Sequence, residues 1–177
     1  MGTGIIICGL NGAGKSTIGK ALAKKLNFYF IDSEDLYFPN KDSDYSSPSS
    51  HKDAAELFFQ KISAHENFIY TSVKGAFGKD SYPFFQYAVL VDVPKDIRLQ
   101  RIKKRSFEKF GNRILSGGDL HEQEENFFDF VAARSENTVE EWIPSLNCPV
   151  IRIDGTKSVE ENINFIIKQL NFFTHLI

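Results

Sequence analysis

The sequence predicts an α/β fold, a parallel sheet covered by helices on both faces, and three observations carry that expectation. Five short β-branched or aromatic runs recur along the chain, amphipathic helical segments separate them, and the first run enters a helix through a glycine-rich turn. A length of 177 residues with 42% hydrophobic and 25% charged positions suits one domain that needs neither disulfides nor a structural metal. No internal repeat, heptad pattern or linker divides it. The 21 basic residues stand against 23 acidic ones, so no global positive field draws the chain to nucleic acid or to a membrane.

Each element follows from its local pattern. Ile5 to Cys8 is a continuous apolar run between glycines, as a central strand buried on both faces requires. From Ser16, residues Ile18, Ala21, Leu22 and Leu26 recur at helical spacing, with Lys20, Lys24 and Lys25 between them. Phe28 to Ile31 is the second strand and ends on the acidic cluster Asp32-Ser33-Glu34-Asp35. Pro39 to Ser50, with five serines and two prolines, reads as a loop. A helix follows from Asp53 to about Ala64; Phe68 to Val73 and Ala88 to Val93 are the third and fourth strands. Asp96 to Phe107 is helical, and the glycines of Phe110-Gly111-Asn112-Arg113 and Ser116-Gly117-Gly118-Asp119 break that pattern into a movable flap. Glu122 to Trp142 reads as one long helical stretch stopped by Pro144. Val150 to Ile153 is the fifth strand, Asp154-Gly155-Thr156 a turn, and Val159 to Leu170 the last helix.

The strongest motif is Gly9-Leu10-Asn11-Gly12-Ala13-Gly14-Lys15-Ser16, which fits Gly-x-x-x-x-Gly-Lys-Ser between a buried strand and an amphipathic helix. Its glycines let the backbone curl around phosphate oxygens, and the following helix adds its positive end. Lys15 would bridge the β- and γ-phosphates of ATP, the Ser16 hydroxyl would ligate Mg²⁺, and Gly9 through Thr17 would line the nucleotide site.

On this loop, the Asp32 cluster, the arginine-rich helix before the flap and the terminal Asp154-Gly155-Thr156, the chain resembles the adenylate kinase and shikimate kinase group of small P-loop kinases. The resemblance implies a three-layer α/β/α fold over residues 1–177. Five parallel strands would run in the order 2-3-1-4-5, with an acceptor-binding region at about 33–66 and a helical lid at about 106–121. It also implies γ-phosphoryl transfer from Mg·ATP to a small-molecule hydroxyl or phosphate, with Arg101, Arg105 and Arg113, and behind them Arg134, as the catalytic cations. Arg98, Arg101 and Arg105 share one helix face, which a solvated surface also explains, and Glu136 or another acid is an alternative partner for Arg134. Asp32 would hold Mg²⁺ through water or take the acceptor proton; a helix cap is its other reading.

The third strand lacks a terminal aspartate, and the residues after the second do not follow a nucleoside monophosphate or shikimate pattern. Tyr37, Phe38, Tyr45, His51 and Lys52 stand there instead, with Lys74, Gly75 and Phe77 after the third strand as further lining. Arg152 to Thr156 would lie near the adenine. A regulatory P-loop switch is the rival class, and the chain has neither an Asn-Lys-x-Asp motif nor an apolar strand ending in Asp-Glu.

The remaining residues are assigned no chemistry. Cys8 and Cys148 read as reduced core residues, the four histidines have no ligand spacing, and Phe127, Phe128 and Phe130 read as core. The N-terminal run reads as a strand rather than a signal peptide, and Ile6 stands where a myristoylation pattern needs Ser or Thr. A cytoplasmic protein, monomer or homodimer, is the expectation.

Overall fold

A computed structural model describes residues 2–39, 48–75 and 77–174, the last four of them as backbone only. Five strands, β1 (Gly4–Cys8), β2 (Tyr29–Asp32), β3 (Phe68–Thr71), β4 (Tyr87–Asp92) and β5 (Val150–Asp154), pair in the order β2-β3-β1-β4-β5. Every pairing is parallel, with Ile7 level with both Thr71 and Val89. The order is the one the resemblance implied. β1 therefore lies at the centre, and all five of its residues are buried.

Pleating divides these side chains between two cores. Ile5 and Ile7 pack with Leu22, Val89, Ile151 and Ile166 under α1 (Lys15–Leu26) and α6 (Val159–Thr174). Ile6 faces the other way, toward Phe58, Phe68, Tyr70 and Ala88, beneath α3 (His51–Ala64). Burying each such isoleucine is worth about 1.5–3 kcal/mol, so a run of three in the central strand holds both layers to one sheet. A smaller cluster of Ile102, Ile114, Leu120, Phe128 and Val131 joins α4 (Lys95–Phe110) to α5 (His121–Ala133) across the glycine-containing segment.

Two sequence expectations change. The acidic cluster after β2 is a short helix, α2 (Ser33–Tyr37), whose first turn Asp32 caps by accepting from the Glu34 amide at 3.1 Å. The helical stretch expected over Glu122 to Trp142 stops at Ala133, and Arg134 is extended at φ −64°, ψ 130°. Ser135 competes with the helix: its hydroxyl accepts from the Asn137 amide, and its carbonyl accepts from the Thr138 hydroxyl at 2.7 Å. Residues 40–47, most of the serine-rich loop and Tyr45 with it, lie outside the described residues.

Candidate active site

The carboxyl end of β1 opens directly into the loop Gly9 to Gly14, and α1 starts at Lys15. Gly12 and Gly14 have φ of +81° and +96°, a region L side chains avoid. A Cβ on Gly12 would stand 2.4 Å from the Arg98 carbonyl, so α4 presses on the outside of the loop. At Gly14 only the Arg101 guanidinium comes within 4 Å of such a carbon. No side chain caps α1, and its first turn holds no acidic residue, so its leading amides are left to an anion.

Lys15 donates to the Leu10 carbonyl at 3.0 Å. Burial lowers its ammonium to about 8; Asp32 opposes that shift, while Arg105 and Arg134 add to it. Asp32, Arg105 and Arg134 thus all lie close enough to act on Lys15. Ser16 is half-buried and Thr17 exposed at the start of α1. Asp32 ends β2 level with Thr71 of β3, so its carboxylate both caps α2 and acts on Lys15. The cap that the sequence offered as an alternative is present.

The arginines divide. Arg98, 2% exposed, donates to the Val93 and Asn11 carbonyls and to both oxygens of Glu136. It braces the loop from outside, and the shared helix face does not make it a free cation. Arg101 spans the Ala13 carbonyl at 3.5 Å and that of Gly155 at 3.1 Å, tying the turn after β5 to the loop. Arg105 is exposed. Arg113 pairs in two-pronged fashion with Asp119 inside the flap, with contacts of 2.7–3.2 Å. Arg134 donates to the Asn11 side chain at 2.9 Å and stacks 4.9 Å from the Phe130 ring centroid. Glu136 therefore belongs to Arg98 rather than to Arg134. Arg152 pairs with Glu140.

Tyr37 of α2, His51 of α3 and Phe77 converge. The Tyr37 hydroxyl meets His51 Nδ1 at 2.8 Å, and the Tyr37 and His51 rings lie 6.4 and 5.6 Å from Phe77. Lys52 pairs with Glu56 on the exposed side of α3, and Gly75 packs against Trp142 and Tyr82. A groove of about 940 Å³ lined by Tyr82, Phe85, Tyr87, Asn147 and Cys148 lies at the opposite end of the strands; none of the candidate residues lines it. Sequence reasoning missed the brace. Arg98 and Glu136 carry no motif, and only their spatial pairing identifies them.

Residues 5–120 match a family described as an AAA domain. The chain belongs to that family. The chain is similar to the "Uncharacterized protein YqaC" of Bacillus subtilis (strain 168), 29% identical over 175 residues, 94% of this chain and 97% of that protein. A shikimate kinase of Chlamydia pneumoniae is 52% identical over 54 residues, 30% of this chain and 28% of its own. Among solved structures, shikimate kinase from Bacteroides thetaiotaomicron superposes with a TM-score of 0.61 at 18% identity, covering 97% of this chain and 99% of the other. Deoxyadenosine kinase from M. mycoides superposes at 0.56 with 19% identity, covering 96% and 99%. This AAA domain chain thus has the fold of the small P-loop kinases.

Proposed function

We propose that the protein is a small-molecule kinase that moves the γ-phosphoryl group of Mg·ATP to a hydroxyl or phosphate acceptor. The observation that carries the reading is the loop itself: glycines at left-handed φ, an uncapped helix start and a half-buried Lys15 between one carboxylate and two arginines. The kinase-like superpositions support it at the level of fold.

The residues fit a magnesium nucleotide. No group of three or more His, Cys, Asp or Glu side chains could hold a metal among the described residues, so a cation here would depend on Ser16, Asp32 and the phosphates together. Ser16 and Asp32 would hold Mg²⁺, which would supply positive charge against the phosphates. The chain's own part is positioning. Backbone amides of Gly9 to Thr17 orient the phosphates, Lys15 neutralises them, and Arg101, Arg105, Arg113 and Arg134 supply charge where the γ-phosphoryl oxygens develop it. Arg113 reaches them when the lid, about 106–121, closes and releases Asp119. The acceptor enters over about 33–66, beside Tyr37, His51 and Phe77, and Asp32 accepts its proton. A cytoplasmic setting rests on the sequence; no described helix is long and apolar enough to cross a membrane.

A coupled ADP-release assay with Mg·ATP against nucleosides, nucleotides, sugar acids and shikimate tests the proposal, with Lys15→Ala as control. Acceptor-dependent, Lys15-dependent turnover is expected. Full activity in Lys15→Ala would remove the proposed site, and Lys15-dependent hydrolysis indifferent to every acceptor would favour a nucleotide switch.

A further inference from the structure

Asn11, at the outer bend of the phosphate loop, is gripped twice. Its carbonyl accepts from Arg98 at 3.3 Å and its side-chain oxygen from Arg134 at 2.9 Å. The two arginines are otherwise unlike. Arg98 is almost wholly buried and committed, with Nε on the Val93 carbonyl at 3.0 Å and Nη2 on the Glu136 oxygens at 2.7 and 2.8 Å. That guanidinium spends four of its five N–H donors on the protein, two of them on one carboxylate, and is buried away from a ligand. Among the described residues the Arg134 side chain is held by a neutral amide and the Phe130 ring, contacts that a phosphate oxygen displaces readily because the charged acceptor bonds more strongly. Arg134 also lies just past the end of α5, in extended backbone whose amide makes the last bond of the helix, to the Val131 carbonyl at 3.3 Å. Beyond it, past the turn at Ser135, Glu136 is drawn down onto Arg98 and anchors the segment that follows.

We propose that Glu136, acting through Arg98, is a positioning residue that holds Arg134 over the phosphate loop, where Arg134 rests on Asn11 and transfers to the terminal phosphate of a bound nucleoside triphosphate. The proposal rests on the kinase reading above. It gives the two arginines on Asn11 different roles: one braces the loop and one reads the nucleotide. Neutralising Glu136 loosens the segment 134–136 without removing any group that touches the phosphates, and a displacement of about 1 Å suffices to weaken an oriented charge contact.

Titration calorimetry with Mg·ADP and Mg·AMP-PNP on wild type, Glu136→Gln, Glu136→Asp, Arg134→Ala and the Glu136→Gln/Arg134→Ala double variant tests this, with thermal melting to verify folding and Lys15→Ala as reference. Glu136→Gln is expected to keep ADP affinity within about twofold and to lower the preference for AMP-PNP over ADP by about fivefold to tenfold. Arg134→Ala should lower it by a similar factor, the double variant no further, and Glu136→Asp should recover part of it. Equal weakening of both nucleotides in Glu136→Gln, or losses that multiply in the double variant, would overturn the proposal. Should Glu136→Gln not fold, Arg134→Ala alone decides: an unchanged preference for AMP-PNP overturns the proposal while Lys15-dependent binding leaves the kinase reading standing. Wild type and Lys15→Ala that both bind neither nucleotide would overturn the two together.

Discussion

Replacing Lys15 by methionine keeps the side-chain stem and removes the charge, and it should stabilise the nucleotide-free protein while abolishing nucleotide binding. Burial holds the ammonium at about 8 against an ordinary value of 10.5. Taken whole, that difference costs the folded state about 3 kcal/mol at pH 7. Lys15 is only half-buried, so screening by solvent brings the figure to about 1–2 kcal/mol, or about 2–8 °C in melting temperature for a chain of this size. The Leu10 carbonyl that loses Lys15 Nζ still accepts from the Ala13 amide at 3.2 Å, so no buried acceptor is orphaned. The pH dependence has a definite sign. Between about 8 and 10.5 the unfolded chain carries a proton that folded Lys15 has released, so wild-type stability rises across that window. The advantage of Lys15→Met is therefore full near neutrality and shrinks by more than half by about pH 9.5. Thermal melting of both proteins without nucleotide, at about pH 7 and about pH 9.5, measures it. A variant that melts below wild type at neutral pH, or a gap that does not narrow at the higher pH, would refute the reasoning.

Three further outcomes follow from packing and burial. Gly12→Ala places a Cβ 2.4 Å from the Arg98 carbonyl at φ +81°; calorimetry should show nucleotide binding lost, and melting should show about 1–3 kcal/mol of stability lost with it. Phe58→Ala empties the centre of a ring cluster that includes Tyr70 at 4.8 Å and Phe77 at 5.0 Å, and chemical denaturation should show a loss of about 3–5 kcal/mol. Burial pushes Cys8 up to about 12 and Cys148 up to about 11, so iodoacetamide labelling followed by mass spectrometry should find both thiols slow to react at about pH 7.5 in the folded protein and fast in denaturant.

How much of this was legible in the sequence depends on whether the deciding interaction is local. β1 is recognisable because its burial on both faces is written in consecutive residues, and the phosphate loop because its glycines, lysine and serine are contiguous. The end of α5 was not. Residues 135–142 have a composition a helix accepts, and what stops α5 at Ala133 is a turn stabilised by Ser135 together with the pull of Arg98 on Glu136 from 38 positions away. The same distance hides the division among the arginines. Arg98, Arg101 and Arg105 are equivalent by helical spacing, and they separate only when the sheet carries α4 against a loop almost ninety residues earlier in the chain, as the 87-residue step from Arg98 to Asn11 shows. Arg134 reaches Asn11 across 123 residues. A contiguous motif thus reveals where phosphate would bind, whereas the roles of the cations around it are set by partners that only the fold brings near. Arg98 and Glu136 have no signature of their own, yet their pairing, seen only in the fold, is what separates the committed Arg98 from Arg134, whose side chain rests, among the described residues, on a neutral amide and an aromatic ring.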